Sequence, residues 1–449
     1  MKKFFLPFLV FSLVFVTVAW SGGSSDSKAA AQPTITITGL VGFQPGVEAI
    51  FDAGVYKGPA RIDLQMVPEN EIDPKIRLEM ISGAKTYDLA VTEAGGARQY
   101  GGMGLLAPLP QHPDDWTDFF EGNRNQHSIG NNIYGYPILA DNGVFYYNDA
   151  MLREAGFNGP PKNWDEFWTI AVRCTKDING RRADEQGFDG SRVAVHGFSF
   201  KGAPTAANPW ELSYLMYGNG LHYIEKDFIK STYEVTCNRP EIIAILDRIM
   251  EIKNKYSAMP EGFANYDYDE NRQMFAQGRV AMIFDWPSAF VEVFKTSPQG
   301  ANIRIDNIPT GTVSNSGPIG GWSVNVFKDS KNLQDAIAVA QAMTSKDGMY
   351  QFAKTHGSVP PRVSVMNRLT AEYKANNPDV GTVFEVVGRA LITGQEQDLA
   401  QTGTASKDVV MAAAEALSAI FAGQKTPKQG MDELKPVIEQ TLARNNYMK

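Results

Sequence analysis

Apolar and polar residues alternate along "TITITGLVGF" (34–43) and "RIDLQMV" (61–67), the two-residue period of strands in a sheet. A third run, "YDLAVTE" (87–93), ends on Glu93. Residues 75–82 place Ile76, Met80 and Ile81 on one helical face, and the rhythm calls for another helix between the first two strands. Strand, helix and strand repeated in this order predict a parallel sheet flanked by helices, an α/β fold. Further along, the apolar run from Val144 to Tyr147 leads into a helix pattern from Asp149. Asn163, with Glu166 three residues later, marks a helix start. Pro240 opens another, whose apolar face is Ile242, Ile243, Leu246, Ile249 and Met250. "VAMIFDW" (280–286) and "WSVNVF" (322–327) read as strands, and 331–344, 347–354, 405–422 and 428–445 as helices. No internal repeat, low-complexity tract or obvious interdomain linker interrupts the pattern.

The first residues break it. Met1-Lys2-Lys3 precede an almost unbroken apolar run from Phe4 to Ala19, the charged head and short body of an export signal. Ala19 and Ser21 suit a signal peptidase, so residues 1–21 are expected to be removed and the rest released as a periplasmic protein. No cysteine lies there to carry a lipid anchor. Roughly 420 residues then remain, enough for two or three domains. The formal charge is −8 and no basic run exists, which argues against a nucleic-acid partner. Cys174 and Cys237 leave two readings open: one disulfide, or two separate buried thiols.

Motifs for hydrolysis, phosphate binding or dinucleotide binding are missing, and the histidines at 112, 127, 196, 222 and 356 show no ligand-like pairing, so no cofactor or metal is expected. Asp177, Asn179, Asp184 and Glu185 lie in a glycine-containing loop of calcium-binding type. That loop is too short and carries Arg181 and Arg182, so a surface turn is the better reading. Trp210, Trp286 and Trp322 sit beside turn residues in "NPWEL", "FDWPS" and "GGWSV", which suits the walls of a cleft. Flat aromatic faces stack on the C–H faces of sugar rings, while carboxylates and amides take the hydroxyls.

Three blocks then resemble one family. "GNNIYGYPILADNGVFYYNDAMLREAGFNGPPKNWDEF", "MFAQGRVAMIFDWPSAF" and "GGWSVNVFKDSKNLQDAIAVAQAMTSKDGMYQFAKTHGSVPPR" are similar, in the same order, to segments of the periplasmic solute-binding proteins of sugar-class ABC importers, the maltose-binding protein family. The family's frequent lipid-attachment cysteine is absent here and its calcium-like loop is shortened. The resemblance implies two α/β lobes, each a helix-flanked sheet, joined by a hinge of about three crossings and closing on ligand. It places lobe one at 33–140 and 302–355, and lobe two at 141–301 and 356–449. The first crossing would be Pro137 to Asn142, which puts Asp141 and Asn142 at the mouth of the cleft. Carried over by segment, Thr92 and Glu93 would bind hydroxyls, Trp286 would be an aromatic platform, and Trp322 and Arg362 would touch ligand. Trp210 and Phe43 would be wall residues. The function implied is capture of a sugar or polyol by a monomer that delivers it to inner-membrane permease subunits. Two alternatives are a secreted glycosidase using Asp141 and Glu93 as its carboxylate pair, and a protein presenting ligand to a chemoreceptor.

Overall fold

The computed structural model describes residues 32–227 and 232–447; the expected signal peptide, residues 1–21, lies outside them. Thr34–Leu40 pairs in parallel with both Arg61–Val67 and Leu89–Glu93, as the strand–helix–strand rhythm requires. Pro318–Val326 runs antiparallel to Leu89–Glu93 on one side and to Tyr136–Asn142 on the other. Every residue of that strand is buried, because helices cover both faces of the sheet. It begins at Pro318, ahead of the expected Trp322, since Gly320 and Gly321 carry no apolar signal. Ile35, Ile37, Val91, Val324 and Val326 form the centre of this lobe's core.

A second sheet is built around Val144–Asn148, which pairs antiparallel with Val280–Asp285 and with Ile303–Asp306. Val193–Phe198 pairs in parallel with Val280–Asp285, and the short Lys176–Asp177 flanks it at the edge. The expected boundary of the lobes shifts here. Ile303–Asp306, placed in lobe one with the segment 302–355, bonds to Val144–Asn148 and belongs to the second sheet. Its buried Ile303 and Ile305 alternate with Arg304 and Asp306, so the strand needs that sheet to cover one face. The chain returns to the first sheet only between 307 and 317.

Gly143 is the first passage between the sheets. Its amide donates to the Pro318 carbonyl at 3.1 Å. A Cβ there would sit 1.8 Å from the Tyr214 ring, so only glycine lets that ring pack on the crossing. A third passage follows the Lys346–His356 helix, which packs on Gln44–Asp52 of the first lobe. The next two helices, Val363–Asn376 and Pro378–Thr393, form an unanticipated hairpin. Val383 and Phe384 from this hairpin join a core cluster with Ile303, Ile305 and Phe294. Among the described residues no helix is long and apolar enough to cross a membrane.

Local expectations resolve as follows. Asn163 caps the Trp164–Cys174 helix, accepting the Glu166 amide at 2.9 Å, while Glu166 reaches the Lys162 amide at 2.8 Å, one residue short of a reciprocal box. Cys174 and Cys237 are separate buried thiols, facing the Met151 and Met431 carbonyls respectively. Asp177 accepts the amides of Asn179, Arg181 and Asp189 at 2.8–3.0 Å, so its carboxylate organises the turn itself. Ile76 is fully buried, as the helical face requires; the side chains of Met80 and Ile81 lie outside the described ones.

Candidate functional site

The two sheets face each other across a cleft of two chambers, about 460 Å³ and about 780 Å³. Glu93, Ala94, Trp210 and Trp322 line both. The first sheet supplies Glu93 from the end of one strand, Asp141 from Tyr136–Asn142 and Trp322 from Pro318–Val326. Opposite them stand Trp286, just past Val280–Asp285, and Trp210, from the Ala207–Tyr217 helix. Tryptophans from both lobes therefore border one space, with carboxylates between them.

Trp322 and Trp286 are held from behind. Phe43 meets Trp322 edge-to-face, with ring centroids 4.9 Å apart and planes at 87°, and is itself flanked by His356. The Trp286 ring nitrogen donates to the Tyr268 hydroxyl at 2.8 Å, and the Trp286 amide donates to Asp285 at 2.7 Å. Its ring lies against Gly320 of the opposite lobe, where a Cβ would come within 3.2 Å of it. Asp285, fully buried, is gripped by both arms of Arg272 at 2.8 and 2.9 Å. Burial pushes the Asp285 carboxyl upward, but Lys201 and Arg272 together outweigh that and hold it below its usual range. Lys201 pairs with the buried Glu211, one residue past Trp210, and also donates to the Phe284 carbonyl at 2.9 Å. The Tyr268 ring lies between the two cations, 5.0 Å from Lys201 and 5.1 Å from Arg272. Arg272, Asp285 and Tyr268 thus fix Trp286 from behind.

Six of the residues expected at the site from sequence border the first, smaller chamber: Phe43, Glu93, Asp141, Trp210, Trp286 and Trp322. Phe43 does so mainly as a support, since it is 3% exposed. Thr92 touches only the larger chamber, and its hydroxyl oxygen already accepts from Asn325 at 2.7 Å. Asn142 points the other way. Successive side chains on a strand face opposite sides, so with Asp141 in the cleft Asn142 turns toward the Pro378–Thr393 helix, donating to the Ala390 carbonyl at 2.8 Å.

Arg362 is not a cleft residue. It is fully buried, stacked 3.9 Å over Phe119, and donates to the carbonyls of Thr344, Asp114 and Asp115 at 2.6–3.0 Å. Its last arm and the Asp114 amide both donate to His112 Nδ1, which leaves Nε2 to donate to the Gln341 carbonyl. An arginine after a Gly-x-x-Pro-x turn reads equally well as a ligand donor or as a clasp for backbone carbonyls, and here it is the clasp.

Sequence reasoning missed Tyr268, Arg272, His356 and Gln397, all of which line the smaller chamber. The first two had a signal. Asp267 and Glu270 form a reciprocal capping box at the start of Tyr268–Ala276, a helix that the spacing of those two acids announces. His356 was weighed only as one of five scattered histidines without ligand-like pairing, and burial holds its imidazole below its ordinary value, in the neutral form at pH 7. Gln397 follows the short strand Gln395–Glu396, which no periodicity marks.

Comparison with known proteins agrees with this architecture. The family model described as bacterial extracellular solute-binding protein matches residues 57–382. A probable ABC transporter-binding protein of Deinococcus radiodurans is 25% identical over 59% of this chain and 59% of its own length, so the chain spans about three fifths of that relative. The erythritol/L-threitol-binding protein of Mycolicibacterium smegmatis is 22% identical over 73% of this chain and 69% of its own. Among solved structures, the cyclic alpha-maltosyl-1,6-maltose binding protein from Arthrobacter globiformis superposes with a TM-score of 0.74 at 18% identity, covering 92% of this chain and all (100%) of that one. The two-lobed fold with a helix-flanked sheet in each lobe is that of the periplasmic binding proteins. The chain belongs to the bacterial extracellular solute-binding protein family.

Proposed function

We propose that this protein is exported to the periplasm, captures a neutral carbohydrate or polyol between its lobes as a monomer, and delivers it to the membrane subunits of an ABC importer. The observation that carries the reading is the convergence of Trp286 and Trp210 from one lobe with Trp322 from the other around Glu93 and Asp141. Indole faces fit the apolar faces of a sugar ring, and each hydroxyl donated to an ionised acceptor is worth about 1.5–3 kcal/mol. Counting the charged side chains that line the two chambers, Glu93, Asp141 and Asp73 stand against Arg272 and Lys407, one net negative charge. Such a lining favours neutral ligands over sugar phosphates. The names of the Mycolicibacterium and Arthrobacter relatives, a polyol binder and a sugar binder, support the same class. Because a ring seated on Trp286 and Trp322 touches both lobes, it stabilises the closed form in preference to the open one.

The experiment is a thermal-shift screen against neutral sugars, polyols and their phosphates. At a hundred times its Kd a ligand stabilises the native state by about 2.7 kcal/mol, a readily measured rise in melting temperature. Incubation of the hits with the protein releases no new reducing ends in this reading; their appearance would favour the glycosidase.

A further inference from the structure

We propose that Asp73 and Lys407 form an ionic clasp between the lobes, one that favours their closed arrangement before any ligand enters. The two residues belong to different lobes. Asp73 lies on the Glu69–Ser82 helix, which enters the first lobe's core through Ile72 and Ile76. Lys407 lies on the Ser406–Phe421 helix, which enters the second lobe's core through Val409, Ala413 and Leu417. Both side chains line the larger chamber, and Lys407 Nζ stands 3.3 Å from an Asp73 oxygen, so the pair spans the cleft. Parting the lobes separates the charges and loses their attraction.

Each partner is set up for the contact. On its own side Asp73 accepts the Tyr100 hydroxyl at 2.6 Å and Arg77 Nε at 2.8 Å, so its oxygens are oriented before Lys407 arrives. Burial works against its charge, but the bonds from Tyr100 and Arg77 outweigh that and hold the carboxyl below its usual range, ionised at neutral pH. Lys407 sits in the first turn of its helix, where the positive end of the helix dipole disfavours a cation and no side chain caps the end. Helix energetics thus argue against lysine at this position, and the carboxylate across the cleft supplies the reason for it. Asp408, beside it, suits that helix start; it also favours the Arg77 cation, after Arg77's own bond to Asp73. The facing helices therefore each present one acid and one base, in complementary order. Lys407 is exposed and Asp73 half-buried, so dissolved salt reaches the pair and weakens it.

The test is double electron–electron resonance on the full-length protein without ligand, spin-labelled at Ala338→Cys and Ala244→Cys. These are exposed positions on the Leu333–Met343 helix of the first lobe and the Pro240–Tyr256 helix of the second. Cys174 and Cys237 are buried and stay unlabelled. The quantity read is the ratio of molecules at the label separation of this structure to molecules at any other separation. At low salt Lys407→Gln should lower that ratio about two- to fivefold, the range for one partly exposed ion pair. Lys407→Glu should lower it further, and Lys407→Arg should keep it. Asp73→Asn combined with Lys407→Gln should do no more than the worse of the two alone. In about 1 M salt, where charges are screened beyond about 3 Å, the parent should fall to the level of Lys407→Gln. The melting temperature of Lys407→Gln should hold or rise, because a cation leaves the helix start. A ratio that is the same in every variant and at both salt levels overturns the clasp, and so does a fall in Lys407→Gln that persists unchanged in high salt. Since no sugar is added, either result is independent of whether the cleft binds carbohydrate.

Discussion

Trp286 and Arg362 each sit beside a proline in the sequence, yet their side chains do opposite work. Trp286 is half-buried at the cleft wall, and its ring nitrogen donates to Tyr268. Replacing it with alanine should cost about 1–3 kcal/mol of ligand binding, the range for losing one aromatic's apolar contact, with little change in the melting temperature of the free protein. Arg362, itself fully buried, clasps three backbone carbonyls and His112. Arg362→Met leaves the Thr344 carbonyl and His112 buried and unmatched and strips Asp118 of its cation, so unfolding in urea should show a loss on the order of 3–5 kcal/mol. The folded fraction of that variant should bind ligand as the parent does. Turn-flanked tryptophans pointed to Trp286 and Trp322, and the family resemblance placed Glu93 and Asp141 at the cleft. They did not separate Asp141 from Asn142, because strand parity decides that, nor identify Arg362, whose partners Asp114, Asp115 and His112 lie 247–250 positions away in sequence and are brought together only by the fold.

At the scale of elements, the crossing at Gly143 is the joint with the least tolerance. Tyr214 lies where any Cβ would go, and both are framed by buried strands. Gly143→Ala should therefore destabilise by about 1–3 kcal/mol through overpacking, measured by chemical denaturation, and should slow or weaken ligand binding by shifting Asp141, two residues away. The elements that periodicity announced were those with one apolar face: the first three strands and the helices later found at Leu333–Met343, Ser406–Phe421 and Pro427–Arg444. The hairpin of Val363–Asn376 and Pro378–Thr393 escaped because it is rich in valine and threonine, residues with a strand bias, and because Val380, Val383, Phe384 and Val387 are buried on a broad face. Ile303–Asp306 was assigned to the wrong lobe for a related reason. A four-residue strand shows that it pairs, and not with which sheet.

The whole molecule carries its own pH signature. Burial, with nearby Arg98, pushes His127 down to about 3, and burial, with Arg362, pushes His112 down to about 4. Both stay neutral in the native state while the unfolded chain takes up their protons below about pH 6.5. Stability from these two groups is therefore complete above pH 6.5 and falls as pH drops toward 4. Glu211, raised to about 7 by burial, works against them, since its native form holds a proton that the unfolded chain releases between about 4.5 and 7. The melting temperature of His127→Gln should fall less than the parent's between pH 6.5 and 4, a difference on the order of 3 kcal/mol in unfolding free energy.

Binding at the junction of the lobes is the claim on which the rest depends, and tryptophan emission reads it directly, since Trp210, Trp286 and Trp322 border the cleft from both sides. The unmodified protein should be titrated with a panel of neutral mono- and oligosaccharides and polyols at neutral pH. At least one member should produce a saturable change in emission, and that change should shrink in Trp286→Ala. A flat response to the entire panel, with a saturable response to an anionic or peptide ligand instead, would contradict the account.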